Sequence, residues 1–471
     1  MNANKEYIIF WGASKCGQIN LSFWLTIGKT PDFFTCNDPN MWGKTFFGTP
    51  VISPNEVLRI KIKKIYITSY ARYEITNQLL ELGLPESQII PHHIPYYSSV
   101  PELYRMLEQR YLSKNKDKKN IIEPKNLGFI FEYAYGGSLG GTQSWAYQEQ
   151  EKLNKIISTE SVVPSDQPPI SSDLNPIVLE RSSKVNLFDS ACEYFLSCKY
   201  NFFIGMIGSE ILAAACFVKR AYKIELTVIA FCHADCDEYY DSYVLLQESI
   251  DFCLVISKKM QSALISRGFP AKKIIYYPWE PSYVKLYDER NKNYNFSLRI
   301  AYVGRIYIQQ KRCDNLMLLA KLLRAKGVDF ILSICGDGEY LSTLKEQIKQ
   351  NHLENNVNYL GCIDHSEVSS FWSNQDIYVS CSEHEGHSLS QFEALSCGAV
   401  AVCTDCSGVS DDVIHEYSGF IVDVGDIEKM AEYIELLSKD RELLELMKKR
   451  NAEIFAKKKD EYCDPILSLI R

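Results

Sequence analysis

Residues 376–403 read DIYVSCSEHEGHSLSQFEALSCGAVAVC and predict a strand, a loop, a helix, a turn and a second strand. The apolar, β-branched run at 377–379 is typical of a buried strand. Ser388 or a neighbouring residue can cap the helix, and Gly398 can end it in the left-handed conformation. This βαβ unit places the loop 381–387 at the C-terminal end of a strand, where open α/β sheets bind ligands.

Two carboxylates frame this loop and helix. Glu385 lies just before the helix, and Glu393 lies about two turns into it. The helix start offers backbone N–H groups at Ser388, Leu389 and Ser390, and these groups and the helix dipole favour a phosphate. A carboxylate beside a phosphate site can accept hydrogen bonds from sugar hydroxyls. The spacing also fits a simpler interpretation, a loop charge followed by an acid on a solvated helix face.

The order of residues in this stretch resembles a known signature. EGHSLSQFE followed by ALSCG is similar to the E-x7-E motif of the retaining glycosyltransferases with the GT-B fold, especially the large family 4. Glu385 and Glu393 match the two acids of the motif, and Gly386 and Gly398 match its glycines. His387 stands where that family more often has Phe or Tyr.

Length and composition limit the class of protein. A chain of 471 residues is expected to form two or three domains. Its 46% apolar and 23% charged residues are typical of a folded soluble protein, and a net charge of −8 gives no support to nucleic-acid binding. The longest apolar run, 211–218, is too short to span a bilayer, and the start of the chain has no signal-peptide pattern. We therefore expect a cytoplasmic protein.

Sixteen cysteines are scattered along the chain, many of them inside apolar segments. In a cytoplasmic protein this pattern is typical of reduced, buried thiols. Two groups have spacings that metal sites use, Cys403 with Cys406 and the segment CHADC at 232–236. Neither group is accompanied by a second pair with the same spacing, so we predict that the protein binds no metal.

The first 112 residues predict a small Rossmann-like domain. The strand YIIFW at 7–11 leads into a glycine turn and a helix, and the next strand ends at Asp38. This order resembles an N-terminal domain that is fused to sugar-modifying enzymes and some methyltransferases. Asp38 stands where a nucleotide-binding relative would hold a ribose, although a docking or sensing module without chemistry is the stronger alternative. The charged segment 113–125 is predicted to be a linker.

A second Rossmann-like domain is predicted for 126–295. Its first strand is followed by a glycine-rich turn, in which Gly140 and Gly141 match the G-G that family 4 enzymes place near a diphosphate. The alternative for this turn is a flexible loop. The segment 160–182 is rich in Ser, Pro and Asp and predicts a surface loop.

His233 follows a later strand of the same domain, where the family has a histidine close to the donor sugar. A histidine with a purely structural role is the alternative. After the last strand of this domain, Trp279, Glu280 and Pro281 replace the N-G-V-D that the family usually carries.

A third domain is predicted for 296–450. Gly304 and Arg305 follow its first strand, and Lys311 lies six residues further on. Two cations on one strand-to-helix loop can both reach a diphosphate, although they would also fit a solvated surface. The family has G-R…K in this place. The last segment, 451–471, is predicted to be a helix that crosses back onto the preceding domain.

Together these patterns predict an α/β protein, with a GT-B fold of two facing Rossmann-like domains and an extra N-terminal Rossmann-like α/β domain. The resemblance implies that Glu393 binds the ribose and Glu385 the hydroxyls of the transferred sugar. It also implies that Arg305 and Lys311 neutralise the diphosphate. The other positions expected around the donor are His233, Gly140, Gly141, Gly304, Gly386, Ser388 and Leu389.

The resemblance implies a retaining, metal-independent transfer of a sugar from a nucleotide-sugar donor, a UDP- or GDP-sugar, without a separate cofactor. The expected acceptor is a glycan or a lipid-linked sugar in bacterial surface polysaccharide or lipopolysaccharide synthesis. A lipid-linked acceptor would bring the protein into peripheral contact with the inner face of the membrane. One alternative is a non-catalytic binding or scaffold protein derived from a glycosyltransferase, and another is a GT-B epimerase or phosphorylase.

Overall fold

The computed structural model describes residues 5–13, 30–68, 72–90, 100–115, 126–132, 141–165, 176–180, 187–206, 210–277, 297–308, 310–364, 366–461 and 465–469. These residues form two compact units. The first comprises the described residues within 1–138, 150–229 and 241–251, and the second comprises those within 139–149, 230–240 and 252–471.

The strands are β1 Tyr7–Trp11, β2 Phe33–Thr35, β3 Thr45–Phe46, β4 Thr49–Ile52, β5 Ile62–Ile67, β6 Ile89–Ile90, β7 Asn126–Glu132, β8 Thr159–Pro164, β9 Ile177–Leu179, β10 Tyr200–Met206, β11 Thr227–Cys232, β12 Phe252–Val255, β13 Ile274–Tyr276, β14 Leu298–Val303, β15 Phe330–Cys335, β16 Val357–Gly361, β17 Ile377–Ser380, β18 Val400–Thr404 and β19 Gly419–Val422.

The α-helices are Pro54–Val57, Arg72–Glu81, Val100–Lys114, Gly141–Leu153, Leu187–Ser197, Glu210–Tyr222, Asp237–Leu246, Lys258–Ser266, Asp314–Ala325, Leu341–Gln350, Val368–Trp372, Leu389–Ser396, Val409–Asp412, Ile427–Lys439, Arg441–Glu461 and Pro465–Ser468. Short 3-10 helices are formed by Pro39–Met41, Glu86–Gln88 and Ala271–Lys273.

The first sheet has six strands in the order β3-β4-β2-β1-β5-β6. All its pairs are parallel except the edge pair of β3 with β4. In chain order the five parallel strands run third, second, first, fourth and fifth, which is the arrangement of a doubly wound Rossmann sheet. Ile9, Trp11 and Ile65 lie in the core of this region. The prediction of an α/β fold for this segment is confirmed.

The second sheet has seven strands in the order β13-β12-β11-β10-β7-β8-β9. β7 pairs in parallel with both β8 and β10. The prediction of a surface loop over 160–182 is wrong, because β8 and β9 lie in this segment. Val162 and Val163 are buried in β8. The polar and proline-rich residues between these two short strands dominate the composition of the segment and conceal the strands' few apolar residues.

The third sheet has six parallel strands in the order β16-β15-β14-β17-β18-β19. In chain order this is third, second, first, fourth, fifth and sixth, again the doubly wound arrangement. The strand order reverses between β14 and β17. The loops that leave the carboxyl ends of these two neighbouring strands therefore start side by side and then run in opposite directions. Such a switch point is where open α/β sheets hold their ligands.

The predicted strand–loop–helix–turn–strand at 376–403 is confirmed. β17 is followed by a loop, and Ser388 caps the helix Leu389–Ser396 by accepting a hydrogen bond from the Gln391 N–H. Gly398 follows this helix with a φ of 91°, and β18 comes next.

The long helix Arg441–Glu461 is anchored on the third sheet. The Lys448 ammonium forms an ion pair with the buried Asp376 carboxylate at 2.7 Å. The Phe455 ring packs edge-on against Phe392, with ring centroids 5.1 Å apart. The helix is continuous through residue 451, where the last predicted segment begins. The crossing back of that segment stays a prediction.

Among the described residues, no helix has the length and apolarity that crossing a membrane requires. The cysteines in these same stretches are free thiols, and most of them are buried.

Candidate active site

Two loops meet at the switch point of the third sheet. Gly304 and Arg305 directly follow β14, and the loop that carries Glu385 follows β17. Because these strands are neighbours, the two loops begin side by side. The Lys311 ammonium donates a hydrogen bond to Glu385 Oε1 at 2.6 Å, and their side chains are only 14% and 9% exposed. The structure therefore brings these two predicted residues together, 74 positions apart in the sequence.

Further polar side chains fix the Glu385 carboxylate. The Ser382 hydroxyl donates to Oε1 at 2.6 Å. The Gln310 amide lies 3.5 Å from Oε2 and donates to the His384 carbonyl oxygen at 3.1 Å. A carboxylate can accept about four hydrogen bonds, so Oε2 keeps room for a hydroxyl group of a ligand. Sequence patterns gave no reason to single out Ser382 or Gln310.

Arg305 belongs to the same group of side chains. Its guanidinium donates to the Gln310 side-chain oxygen at 2.6 Å and lies 5.9 Å from the centre of the Tyr307 ring. Its own backbone carbonyl accepts a hydrogen bond from the Tyr302 hydroxyl at 2.7 Å. Gly304 donates its N–H to a carbonyl of β15 at 3.0 Å. The backbone of Arg305 is fixed by the hydrogen bond from Tyr302, while its side chain is exposed. An anion that arrives from solvent could therefore reach the guanidinium.

The helix Leu389–Ser396 points its first turn toward the loop that carries Glu385. Because it begins after Ser388, the N–H groups of Leu389 and Ser390 have no acceptor within the helix. A helix start of this kind attracts anions.

Glu393 lies further along this helix and is 6% exposed, and Glu385 is 8% exposed. The simpler interpretation of these two acids, as a loop charge and a solvated helix face, is therefore wrong. The opposite end of the helix leads into β18, a fully buried strand.

His233 follows β11 and is half-buried. Its ring is close to parallel with that of Phe231, with centroids 5.9 Å apart. Among the described residues its Nδ1 has no hydrogen-bond partner, and burial lowers the pKa of His233 to about 4. The imidazole is therefore neutral at pH 7. A Cβ added at Gly386 would lie 2.1 Å from the His233 carbonyl oxygen, so only glycine fits at this close approach.

Several predicted positions cannot be compared with this site. Gly140 and the segment 279–281 lie outside the described residues. Gly141 begins the helix Gly141–Leu153. Within the part of the chain that the structure describes, no group of three or more His, Cys, Asp or Glu side chains is placed to hold a metal ion.

A cluster of charged side chains around the buried Asp412 lies next to the loop, and no sequence motif predicts it. His387 Nε2 lies 2.8 Å from Asp412 Oδ2. The other oxygen of Asp412 accepts a hydrogen bond from the Lys458 ammonium at 2.6 Å. Asp412 and Lys458 come from two different helices, and neither belongs to a recognisable motif.

Part of the chain is similar to known proteins. Residues 287–454 match the family model of the glycosyl transferases group 1. Over 161 residues the chain is 30% identical to the capsular polysaccharide biosynthesis glycosyltransferase CapM of Staphylococcus aureus. That match covers 34% of this chain and 42% of CapM. The chain spans about a third to a half of the length of the curated relatives it matches.

Two solved structures have the same architecture over most of their length. Anabaena HepE, described in complex with UDP and glucose, has a TM-score of 0.56 at 15% identity and covers 70% of this chain and 95% of its own. The lipopolysaccharide outer core galactosyltransferase WaaB has a TM-score of 0.52 at 18% identity and covers 70% and 100%. The chain therefore has the GT-B fold, and its residues 287–454 are similar to the glycosyl transferases group 1.

The close approach at Gly386 gives a first prediction. We expect Gly386→Ala to lower the free energy of unfolding by about 1–3 kcal/mol, because the added methyl group must displace either the His233 backbone or the loop. Urea denaturation measures this change. Gly425→Ala is a comparison variant with a different cause of strain, because Gly425 has open space around it but a φ of 89°, a conformation that costs an alanine about 1–2 kcal/mol. Unchanged stability of Gly386→Ala would mean that the contact with His233 does not constrain the loop.

Proposed function

We propose that this chain is a retaining, family 4 glycosyltransferase that moves a sugar from a nucleotide-sugar donor to a glycan or lipid-linked acceptor. The observation that carries the proposal is the buried pair of Lys311 and Glu385 at the switch point. The exposed Arg305 donates a hydrogen bond to Gln310 of the same site, and the loop of Glu385 leads into the helix that carries the buried Glu393. Cations, free amides and buried carboxylates are the groups that a sugar attached to a nucleoside diphosphate needs.

Each group has a role in binding the donor. Arg305 and Lys311 bind the diphosphate, and the first amides of the helix Leu389–Ser396 add hydrogen bonds to it. Glu393 accepts hydrogen bonds from the ribose hydroxyls, and Glu385 accepts them from the transferred sugar. A UDP- or GDP-sugar is the expected donor, and the description of HepE with UDP and glucose supports UDP. The donor is a substrate, and no separate cofactor is proposed.

The bond between the sugar C1 and the diphosphate oxygen breaks in the reaction, and negative charge develops on the departing phosphate. Arg305 and Lys311 stabilise that charge as it forms. The acceptor hydroxyl attacks C1 on the face from which the phosphate leaves, and its proton passes to a phosphate oxygen. The configuration at C1 is thereby retained. Glu385 orients the sugar and need not act as a nucleophile, and the two cations make a metal unnecessary.

The names of similar proteins support a proposal for the acceptor and the cellular setting. CapM is named for capsular polysaccharide synthesis and WaaB for the lipopolysaccharide outer core. We therefore propose a role in bacterial surface polysaccharide or lipopolysaccharide synthesis. The protein would act in the cytoplasm and contact the inner face of the membrane where its acceptor is lipid-linked.

A donor screen tests the proposal. The purified protein is heated with UDP-, GDP-, ADP- or dTDP-sugars, and free sugar is measured in the same samples. We expect one nucleotide class to raise the melting temperature and its sugar to be released slowly. Stabilisation without release, even when glycan acceptors are added, would favour the non-catalytic binding protein. No stabilisation by any nucleotide would contradict the proposal.

The retaining course has a test of its own. The anomeric proton of a freshly formed product is followed by NMR, and we expect the configuration of the donor to persist. An inverted product would contradict the assignment to family 4.

A further inference from the structure

His387 follows Glu385 by two positions, and its ring is turned into the protein. Its Nε2 and Asp412 Oδ2 are 2.8 Å apart, and the two side chains are 5% and 2% exposed. The Gln391 amide, from the helix that starts at the loop, donates to the same oxygen at 3.2 Å. One carboxylate thus holds both the loop and the helix whose N-terminus faces the proposed diphosphate.

A third element reaches the same carboxylate. The Lys458 ammonium of the helix Arg441–Glu461 lies 2.6 Å from Asp412 Oδ1 and also donates to the Asp411 carbonyl oxygen at 2.8 Å. Both oxygens of Asp412 therefore have partners, and each partner comes from a different element. A buried carboxylate with this set of partners restricts the positions of all of them.

The backbone is packed as closely as the side chains. Gly408 precedes the short helix Val409–Asp412 with a φ of 80°. A Cβ there would lie 2.7 Å from the Gly386 carbonyl oxygen and 2.9 Å from the His387 ring. The segment that carries Asp412 therefore lies directly against the residue that follows Glu385.

We propose that Asp412 is a positioning residue of the donor site, which holds the loop of Glu385 and Ser388 in place through its hydrogen bond to His387 and its ion pair with Lys458. The inference rests on the proposed function, because it assigns the loop to the donor. Asp412 does not touch the donor itself, so its effect on transfer passes through His387.

The charges in this cluster make the interaction between His387 and Asp412 depend on pH. Burial acts to lower the pKa of His387, but the Asp412 carboxylate, with a smaller contribution from Asp411, outweighs burial and Lys458 and raises it. Burial likewise acts to raise the pKa of Asp412, but His387 and Lys458 hold it well below its usual range. His387 and Asp412 therefore form an ion pair at the acidic side of neutrality.

The sign of the effect follows from the raised pKa of His387. Its protonation stabilises the folded loop fully below the ordinary histidine pKa of about 6.5 and ceases to do so as the pH rises through the higher value in the folded protein. The loop is therefore expected to be held best at mildly acidic pH and to loosen as the pH rises.

Three variants and a control separate positioning from general stability. Asp412→Asn removes the charge but keeps the shape, and His387→Phe restores the aromatic residue that the resemblance leads one to expect. The double variant tests whether the two act as one unit. Asp376→Asn is the control, because Asp376 is a buried carboxylate paired with a lysine of the same long helix but has no described contact with the loop.

The first readout is hydrogen–deuterium exchange of the peptides that cover 383–396 in the full chain. We expect about tenfold faster exchange in Asp412→Asn than in wild type at pH 6, with the difference shrinking as the pH rises. Asp376→Asn should leave these peptides unchanged. If Asp412→Asn is too unstable to purify, His387→Phe is used, and it should lose the pH dependence. Unchanged exchange and an unchanged pH dependence would overturn the proposal.

The second readout is the rate of sugar release or transfer. We expect kcat in Asp412→Asn to fall by about 10- to 100-fold with a smaller change in KM, because a displaced loop misplaces Glu385. The double variant should be no slower than Asp412→Asn. Strictly multiplicative losses would show that Asp412 does not act through His387. If wild-type protein binds no nucleotide-sugar, the proposed function fails, while the exchange experiment still decides whether Asp412 holds the loop.

Discussion

Replacing Arg305 by alanine is expected to lower kcat for sugar transfer by about 100- to 1000-fold with little change in stability. The guanidinium is exposed, and its described partners are the Gln310 side chain and the face of the Tyr307 ring. Its removal therefore costs the folded protein little. The departing diphosphate would lose one of its two cations at the moment when charge develops there, so the loss should appear in kcat more than in KM.

Arg324→Ala is a suitable control for this variant. Arg324 is an exposed arginine of the same unit that donates to the backbone carbonyls of Asn351 and His352 at 2.9 Å. It should retain close to wild-type kcat. Steady-state kinetics with the donor found in the screen decide the matter, and near-wild-type turnover by Arg305→Ala would remove Arg305 from the proposed mechanism.

Changing Glu393 to glutamine is expected to weaken nucleotide binding by about 10- to 100-fold. A charged hydrogen bond to a ribose hydroxyl contributes about 1.5–3 kcal/mol, and each 1.4 kcal/mol corresponds to a factor of ten in affinity. The side chain is buried, and glutamine keeps its shape, so the fold should survive. Isothermal titration with the nucleoside diphosphate alone measures the change without requiring turnover.

Binding of the nucleoside diphosphate alone also distinguishes the proposed roles of Glu385 and Glu393. Glu385 is proposed to bind the transferred sugar, so Glu385→Gln should bind the diphosphate nearly as well as wild type, while Glu393→Gln should not. Glu432→Gln, on an exposed helix face, controls for the loss of a charge. Equal affinity of wild type and Glu393→Gln for the diphosphate would contradict the assignment to the ribose.

The sequence predicts the secondary-structure elements that surround the site better than it predicts the side-chain contacts within the site. β-branched runs, the capping serine and the helix-ending Gly398 identify the βαβ unit, because local propensities and packing agree there. That Lys311 meets Glu385 follows from the doubly wound order, in which the loops after the first and fourth strands start side by side. Local pattern thus predicts each element, and topology then predicts which loops meet.

Neither local pattern nor topology predicts which individual side chains contact one another in the site. Gln310, Ser382, Asp412 and Lys458 act through side-chain contacts, and Lys458 is 46 residues from the carboxylate it binds. For a polar residue on a helix, the sequence alone does not distinguish an exposed side chain from one that forms a buried ion pair. The strands β8 and β9 were missed for a related reason, since their few apolar residues are outnumbered by the polar residues around them.

The contact between Asp412 and Lys458 also orders events during synthesis. The loop, the helix after it and the Asp412 segment leave the ribosome before the lysine does. At about 5–20 residues per second, the 46 residues that follow Asp412, up to and including Lys458, take about 2 to 9 s to be made. Throughout that interval Asp412 lacks its lysine. In a nascent chain, the loop that carries Glu385 therefore acquires its full set of contacts only when the helix Arg441–Glu461 docks, and a ribosome stalled earlier displays the loop without Lys458.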